Sequence, residues 1–201
     1  GGGVTDTGVD ANATLAVIAA AGRGRRFGAD KRRAPLADGR SLLATTLARA
    51  GALFPRVAVV IRADDDPAEL GLGDALVLRA PRAERGLGAS IGDAFAALLA
   101  TDEAARVAAL WLGDMPWVGD ATVAALRARA GADRIVRPVL DGAPGFPVLF
   151  GRAFWPELAV RADGDGARDL IAAHRAALIE LPVDDPGVLR DVDRPGDLTA
   201  R

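Results

Sequence analysis

The chain has no cysteine, which excludes disulfides, thiolate metal sites and cysteine nucleophiles. It has a single histidine, His174, so a multi-histidine zinc centre is excluded and Ser–His–Asp hydrolysis is disfavoured. His174 itself, flanked by Ala173 and Arg175, reads as an ordinary helix residue. No apolar run reaches membrane-spanning length. The net charge is only −2, which disfavours general binding to nucleic acid or to an anionic membrane. The opening stretch GGGVTDTGVDANA has no basic region leading into an apolar core, so it does not read as a signal peptide. Residues 1–13 are expected to be a flexible extension and 14–201 a single domain. Together these absences imply a cytoplasmic protein.

Two familiar phosphate loops are also missing. A P-loop needs G-x-x-x-x-G-K-[ST], and Lys31 is followed by Arg32. A dinucleotide fingerprint needs G-x-G-x-x-G; Gly22 and Gly24 fit, but Phe27 holds the third position and Gly28 comes one residue late.

What is present is an alternation of strand-like and helix-like segments. At 201 residues, with apolar residues at 50%, the chain can build a full sheet-and-helix core. Strands are predicted at 15–21, 57–61, 75–78, 107–112, 134–139, 147–150 and 177–181. Helices are predicted at 42–53, opened by Ser41, from Ser90 to about 100, at 121–129, capped by Asp120, and at 167–176. This pattern implies a three-layer α/β/α fold with a mainly parallel sheet. Ligands of such sheets sit beyond the carboxyl ends of the strands, so the loops after the first, third and fourth strands should converge.

The first of those loops is the most informative stretch. After the apolar run Leu15–Ala21 come Gly22, Gly24 and Gly28, and six of the eleven residues from Arg23 to Arg33 are Arg or Lys. Glycines let a backbone approach a ligand, and exposed N–H groups beside dense positive charge suit a polyphosphate. A solvated basic loop or a nucleic-acid patch is the plainer alternative. The fourth strand ends in Gly113-Asp114-Met115-Pro116. A carboxylate directly after a buried strand is either a turn residue or a ligand for Mg²⁺, which takes one or two carboxylates plus phosphate oxygens and water. Trp111, Trp117 and Trp155 read as core or rim packing.

Ala20-Ala21-Gly22-Arg23-Gly24-Arg25-Arg26-Phe27-Gly28-Ala29-Asp30-Lys31 resembles the signature A-[AG]-G-x-x-x-R-[MF]-G-x-x-K of the MobA-like nucleotidyltransferases. Ala19 stands where relatives commonly have Leu. The likeness continues in order to Leu198. Ala80-Pro81 through Gly86, Gly88 and Ser90 resembles n-P-x-x-x-x-G-[ML]-x-x-S. Gly142 to Phe150 resembles G-x-x-G-[HF]-P-V-[LF]-F, with Phe146 where many relatives have His. Gly164-Asp165-Gly166-Ala167-Arg168 matches G-D-x-G-A-R. Asp191-Val192-Asp193-Arg194-Pro195 resembles D-[IV]-D-T-P, with Arg194 in place of Thr.

This resemblance implies a Rossmann-like sheet of the nucleotide-diphospho-sugar transferase type and an NTP-dependent transfer onto a phosphorylated acceptor. Ala-Ala-Gly, G-D-x-G-A-R and D-V-D-x-P together look most like the molybdenum cofactor cytidylyltransferases (MocA-like), so the implied substrates are CTP and molybdopterin or molybdenum cofactor, with Mg²⁺. Arg23, Arg26 and Lys31 would hold the β- and γ-phosphates. Ala20, Ala21, Gly22, Gly24, Ala80, Pro81, Gly86, Gly88 and Ser90 would line the nucleotide site, Ser90 alternatively capping its helix. Gly145, Phe146, Pro147 and Arg168 would face the acceptor, although Arg168 reads equally as a surface residue. Asp114 and Asp193 would bind the metal, with Asp191 in reserve, and Asp197 would cap the last helix. A client molybdoenzyme of the xanthine dehydrogenase type would follow. The alternatives are guanylyl transfer from GTP, another acceptor such as a sugar phosphate or phospholactate, and a nucleotide-binding cofactor-insertion chaperone without turnover.

Overall fold

The computed structural model describes residues 13–101 and 104–199. Apart from Ala13, the extension expected at 1–13 lies outside the described residues. Eight strands form one sheet: β1 (Thr14–Ala19), β2 (Arg56–Arg62), β3 (Leu76–Ala80), β4 (Val107–Leu112), β5 (Ile135–Leu140), β6 (Ala143–Pro144), β7 (Val148–Gly151) and β8 (Leu178–Pro182). Their order is β3-β2-β1-β4-β7-β5-β6, with β8 beside β5. β1 pairs in parallel with both β2 and β4, and β2 in parallel with β3. β7 is antiparallel to both of its neighbours, β4 and β5. β6 is antiparallel to β5 and β8 parallel to it, so the sheet is mainly parallel, with β7 inserted in reverse and the short β6 reversed at the edge.

Among the described residues, five α-helices accompany it: α1 (Leu42–Leu53), α2 (Leu87–Ala100), α3 (Asp120–Arg129), α4 (Trp155–Ala159) and α5 (Arg168–Ala173). β1 shows how they divide. Leu15 and Val17 join one apolar cluster, with Ile91, Phe95, Trp155 and Leu170 of α2, α4 and α5. Ala16 and Ile18 join the other, with Leu43, Leu47, Val123 and Leu126 of α1 and α3. A strand buried on both faces reads as a continuous apolar run, which is why β1 and β4 stand out in the sequence. The three-layer α/β/α fold follows from these two cores. Trp111 and Trp155 are fully buried, and their indole N–H groups donate to Met115 O at 2.9 Å and Phe150 O at 3.1 Å.

Several predicted boundaries shift. Ser41 does cap α1, its Oγ accepting from Ala44 N at 3.1 Å. α2 starts at Leu87 rather than Ser90, so Ser90 lies inside the helix, only 4% exposed. Asp120 opens α3 without capping it and instead pairs with Arg49 at 2.9 Å. α5 ends at Ala173, and His174 terminates it, its Nε2 lying 2.9 Å from Glu157 Oε1. Asp197 lies inside the last short helical turn, Pro195–Thr199, and caps its start from there, accepting from Asp193 N at 3.0 Å and Arg194 N at 2.9 Å.

Candidate active site

Because β1 to β4 run parallel, their carboxyl ends share one edge of the sheet. The loops that follow them enclose a cavity of about 610 Å³. Of the residues expected to bind nucleotide, Ala20, Ala21, Gly22, Arg23, Gly24, Lys31, Ala80, Pro81, Gly86, Ser90 and Asp114 line it.

The loop after β1 is built to present N–H groups. Its carbonyls are occupied by two arginines that also line the cavity: Ala20 O accepts from Arg32 Nη1 at 2.9 Å, and Ala21 O and Gly22 O each accept from Arg62 at 3.2 Å. Among the described residues, none of the backbone N–H groups from Ala21 to Arg25 donates to a protein acceptor. Such a run of free N–H groups is an anion cradle. Gly24 takes a left-handed conformation, φ 58° and ψ 45°. A Cβ there would sit 3.1 Å from Lys31 Cδ and Cε, so the glycine lets the lysine stem cross the loop.

That stem carries Lys31 Nζ to Asp114 Oδ2 at 2.8 Å and to Val192 O at 2.9 Å. Val192 N in turn donates to Asp114 O at 2.9 Å, which draws the Asp191–Asp193 segment to the end of β4. Asp114 Oδ1 is buried and has no hydrogen-bond partner. Burial raises the Asp114 carboxyl pKa, Lys31 opposes the rise, and the Asp191 charge adds to it; the balance leaves it raised. Asp193 meets Arg26 at 3.2 Å on the surface beside this cluster, and neither lines the cavity. Arg23 pairs with Glu84 at 2.7 Å and Asp64 at 3.6 Å, tying together the loops after β1, β2 and β3.

Other expected site residues lie elsewhere. Gly88 does not line the cavity: its N donates to Gly164 O at 2.8 Å, and a Cβ on it would stand 2.0 Å from Asp163 O. It is a packing glycine between α2 and the 161–166 loop. Gly145, Phe146, Pro147 and Arg168 are also outside the cavity. A Cβ on Gly145 would meet Val188 O at 2.3 Å, Phe146 packs against both apolar clusters, and Arg168 is exposed at the start of α5. Trp117, half-buried, stacks under Arg190, whose Cζ lies 4.7 Å from the ring centre.

Sequence reasoning overlooked Arg62, which holds two loop carbonyls, and treated Arg32 as one more free cation. Arg32 is 6% exposed and is bound to Asp30 and Asp65.

The model of the MobA-like NTP transferase domain matches residues 16–178, and the chain belongs to that family of nucleotidyltransferases. Among solved structures it is similar to Rv0371c from Mycobacterium tuberculosis H37Rv, with 30% identity, TM-score 0.79, and coverage of 94% of this chain and 96% of that one. A complex of Rv0371c with manganese matches at 26% identity and TM-score 0.73, covering 92% and 95% of the two chains. The fold also matches molybdopterin-guanine dinucleotide biosynthesis protein A from Archaeoglobus fulgidus, at 21% identity, TM-score 0.64, and coverage of 92% and 94%. No curated protein sequence matches the chain. Among the described residues, no helix is long and apolar enough to cross a membrane.

Proposed function

We propose that this protein transfers a nucleoside monophosphate, CMP in preference to GMP, from its triphosphate to the terminal phosphate of a molybdopterin-type acceptor. An acceptor phosphate oxygen bonds to the α-phosphorus, the bond to the β-phosphate breaks, and pyrophosphate leaves. The observation that carries this reading is the buried, unpartnered Asp114 Oδ1 beside Lys31, at the edge of a cavity lined with free N–H groups.

That oxygen fits a hard divalent ion. Among the described residues there is no group of three or more side chains that could hold a metal by themselves, and Mg²⁺ or Mn²⁺ in such a site needs only one or two carboxylates, completed by phosphate oxygens and water. Asp114 would hold the ion, with Asp193 or Asp191 as second carboxylate. The bound ion would neutralise charge on the reacting phosphates. The manganese complex of Rv0371c supports this choice of ion. The chain's own groups do the positioning: the N–H groups of 21–25, Lys31 and Arg26 hold the triphosphate, and the floor around Ala21, Ala80 and Ser90 takes the base and ribose. The acceptor is already anionic, so in-line positioning and charge neutralisation suffice without a strong general base. Arg168 and the Gly145–Pro147 turn are assigned to the acceptor through the motifs they match. The product would pass to a client molybdoenzyme of the xanthine dehydrogenase type.

The test is incubation of purified protein with each NTP, Mg²⁺ or Mn²⁺, and molybdopterin in its molybdenum-loaded form, with products identified by mass. A cytidylylated cofactor plus pyrophosphate is expected. Transfer only to a sugar phosphate or phospholactate, or no transfer with any NTP, overturns the proposal.

A further inference from the structure

Two arginines, which also line the cavity, donate to the carbonyls of the phosphate loop. Arg32 Nη1 donates to Ala20 O at 2.9 Å. Arg62 Nε donates to Ala21 O and its Nη2 to Gly22 O, both at 3.2 Å. The peptide unit is planar and trans, so pinning the C=O of one residue turns the N–H of the next to the opposite side. Holding the carbonyls of 20, 21 and 22 on the arginine side therefore aims the N–H groups of Ala21, Gly22 and Arg23 away from the arginines. These same N–H groups have no protein acceptor among the described residues.

The arginines are themselves fixed. Arg32 Nε and Nη2 donate to the two oxygens of Asp30 at 2.9 and 3.0 Å. Its Nη1 and Nη2 fork onto the two oxygens of Asp65 at 2.7 and 2.8 Å. Asp65 Oδ2 also accepts from Arg62 N at 2.7 Å, which joins the two arginines in one network. Two carboxylates neutralise Arg32, so its part is geometric rather than that of a free phosphate-binding charge.

We propose that Arg62 and Arg32 are positioning residues that preorganise the phosphate loop: they spend their donors on loop carbonyls so that the opposing N–H groups meet a phosphate without rearrangement. This rests on the nucleotide-binding reading above and adds to it the residues that shape the loop.

Arg62 is the better test, because Arg32 is buried and its loss endangers folding. Lys keeps the charge at position 62 but cannot span two carbonyls with a rigid fork. Wild type, Arg62→Lys and Arg62→Met are titrated with inorganic pyrophosphate and with CTP by calorimetry, and their thermal midpoints are recorded. Both variants are expected to weaken pyrophosphate and CTP binding about tenfold or more while melting close to wild type, with Arg62→Lys no better than Arg62→Met. An Arg62→Lys variant that binds both as wild type does overturns the positioning role, because charge alone then accounts for Arg62. Weaker binding that merely follows a large drop in thermal midpoint also overturns it. Wild-type protein that binds neither probe removes the nucleotide reading, and this inference with it.

Discussion

Lys31 Nζ lies 2.8 Å from Asp114 Oδ2, so the last residue of the glycine-rich signature is bonded to the carboxylate that ends β4. Both side chains are mostly buried, at 17% and 19% exposure. The contact gives Asp114 one compensated oxygen and leaves the other open. Asp114→Ala is expected to lower kcat by at least about a hundredfold, since a metal's charge stabilisation is worth several kcal/mol. Steady-state kinetics on a variant shown to be folded by circular dichroism checks this; near-normal turnover sinks the role. Asp193→Ala should behave likewise if that residue is the second ligand, and an unchanged Mg²⁺ dependence moves the assignment to Asp191 or to water.

The cations of the loop should discriminate by phosphate number. Lys31→Ala and Arg26→Ala are expected to weaken NTP binding by about 1.5–3 kcal/mol each, the range for charge-assisted hydrogen bonds. The loss should be smaller for NMP. Arg26 is the more exposed of the two, so its effect should lie at the lower end and fade with salt. Calorimetry with both ligands decides; equal losses for NTP and NMP mean that these side chains do not contact the β- and γ-phosphates.

Gly88 should act on stability before it acts on binding. A methyl group there would stand 2.0 Å from Asp163 O, a clash only backbone movement can relieve. Gly88→Ala is expected to cost about 1–3 kcal/mol of unfolding free energy, as overpacking does. A variant that unfolds in urea like wild type but binds CTP poorly would restore Gly88 to the nucleotide site.

What could be read in the sequence follows how local each signal is. β1 and β4 are buried on both faces, so their apolar runs and the Gly22 and Asp114 that follow them were visible without the fold. Lys31 was visible as part of a spaced signature. Arg32 was visible only as a cation: Asp30 stands two residues away, but Asp65 comes from the end of β2, and without it the side chain reads as free. Arg62 follows the predicted strand 57–61 and carries no local signal. Gly88 looked like a ligand-approach glycine because the carbonyl it makes room for belongs to the 161–166 loop, remote in sequence. Long-range pairing, not composition, separates loop-shaping arginines from phosphate-binding ones.

The Arg32 network also sets an acid limit. Burial raises the Asp65 and Asp30 carboxyl pKa values, and the hydrogen bonds from Arg32 outweigh it, leaving both below the ordinary range. A lowered folded-state pKa means that the unfolded chain binds more protons in acid. The stabilisation is therefore complete above the unfolded value near about pH 4 and lost as pH falls through the folded values. Urea unfolding of wild type and Asp65→Asn across pH should show a gap that is constant above about pH 5 and closes below about pH 4. A gap that stays constant into acid would show that Asp65 does not carry this term.

The proposed base preference would turn on Ala21. Its side chain is 3% exposed and belongs to the apolar cluster with Ala80 and Ile91, while the residue still lines the cavity. The residue thus stands at the cavity wall with its methyl packed towards the core, and glycine, usual at this position in the guanylyltransferase relatives that the signature resembles, would remove that methyl. On the proposed reading a pyrimidine would fit beside this methyl, and a purine would need the space it takes. One methyl group in a close-packed site discriminates by roughly 1–3 kcal/mol, about ten- to two-hundredfold. Wild type is expected to prefer CTP over GTP within that range, and Ala21→Gly to narrow the gap mainly by admitting GTP. Because the methyl is also core, the variant should lose a little stability, which a thermal midpoint reads independently of base choice. Competition kinetics with both triphosphates decides it: a wild type that uses GTP as well as CTP, or an Ala21→Gly variant with an unchanged ratio, shows that this residue does not select the base.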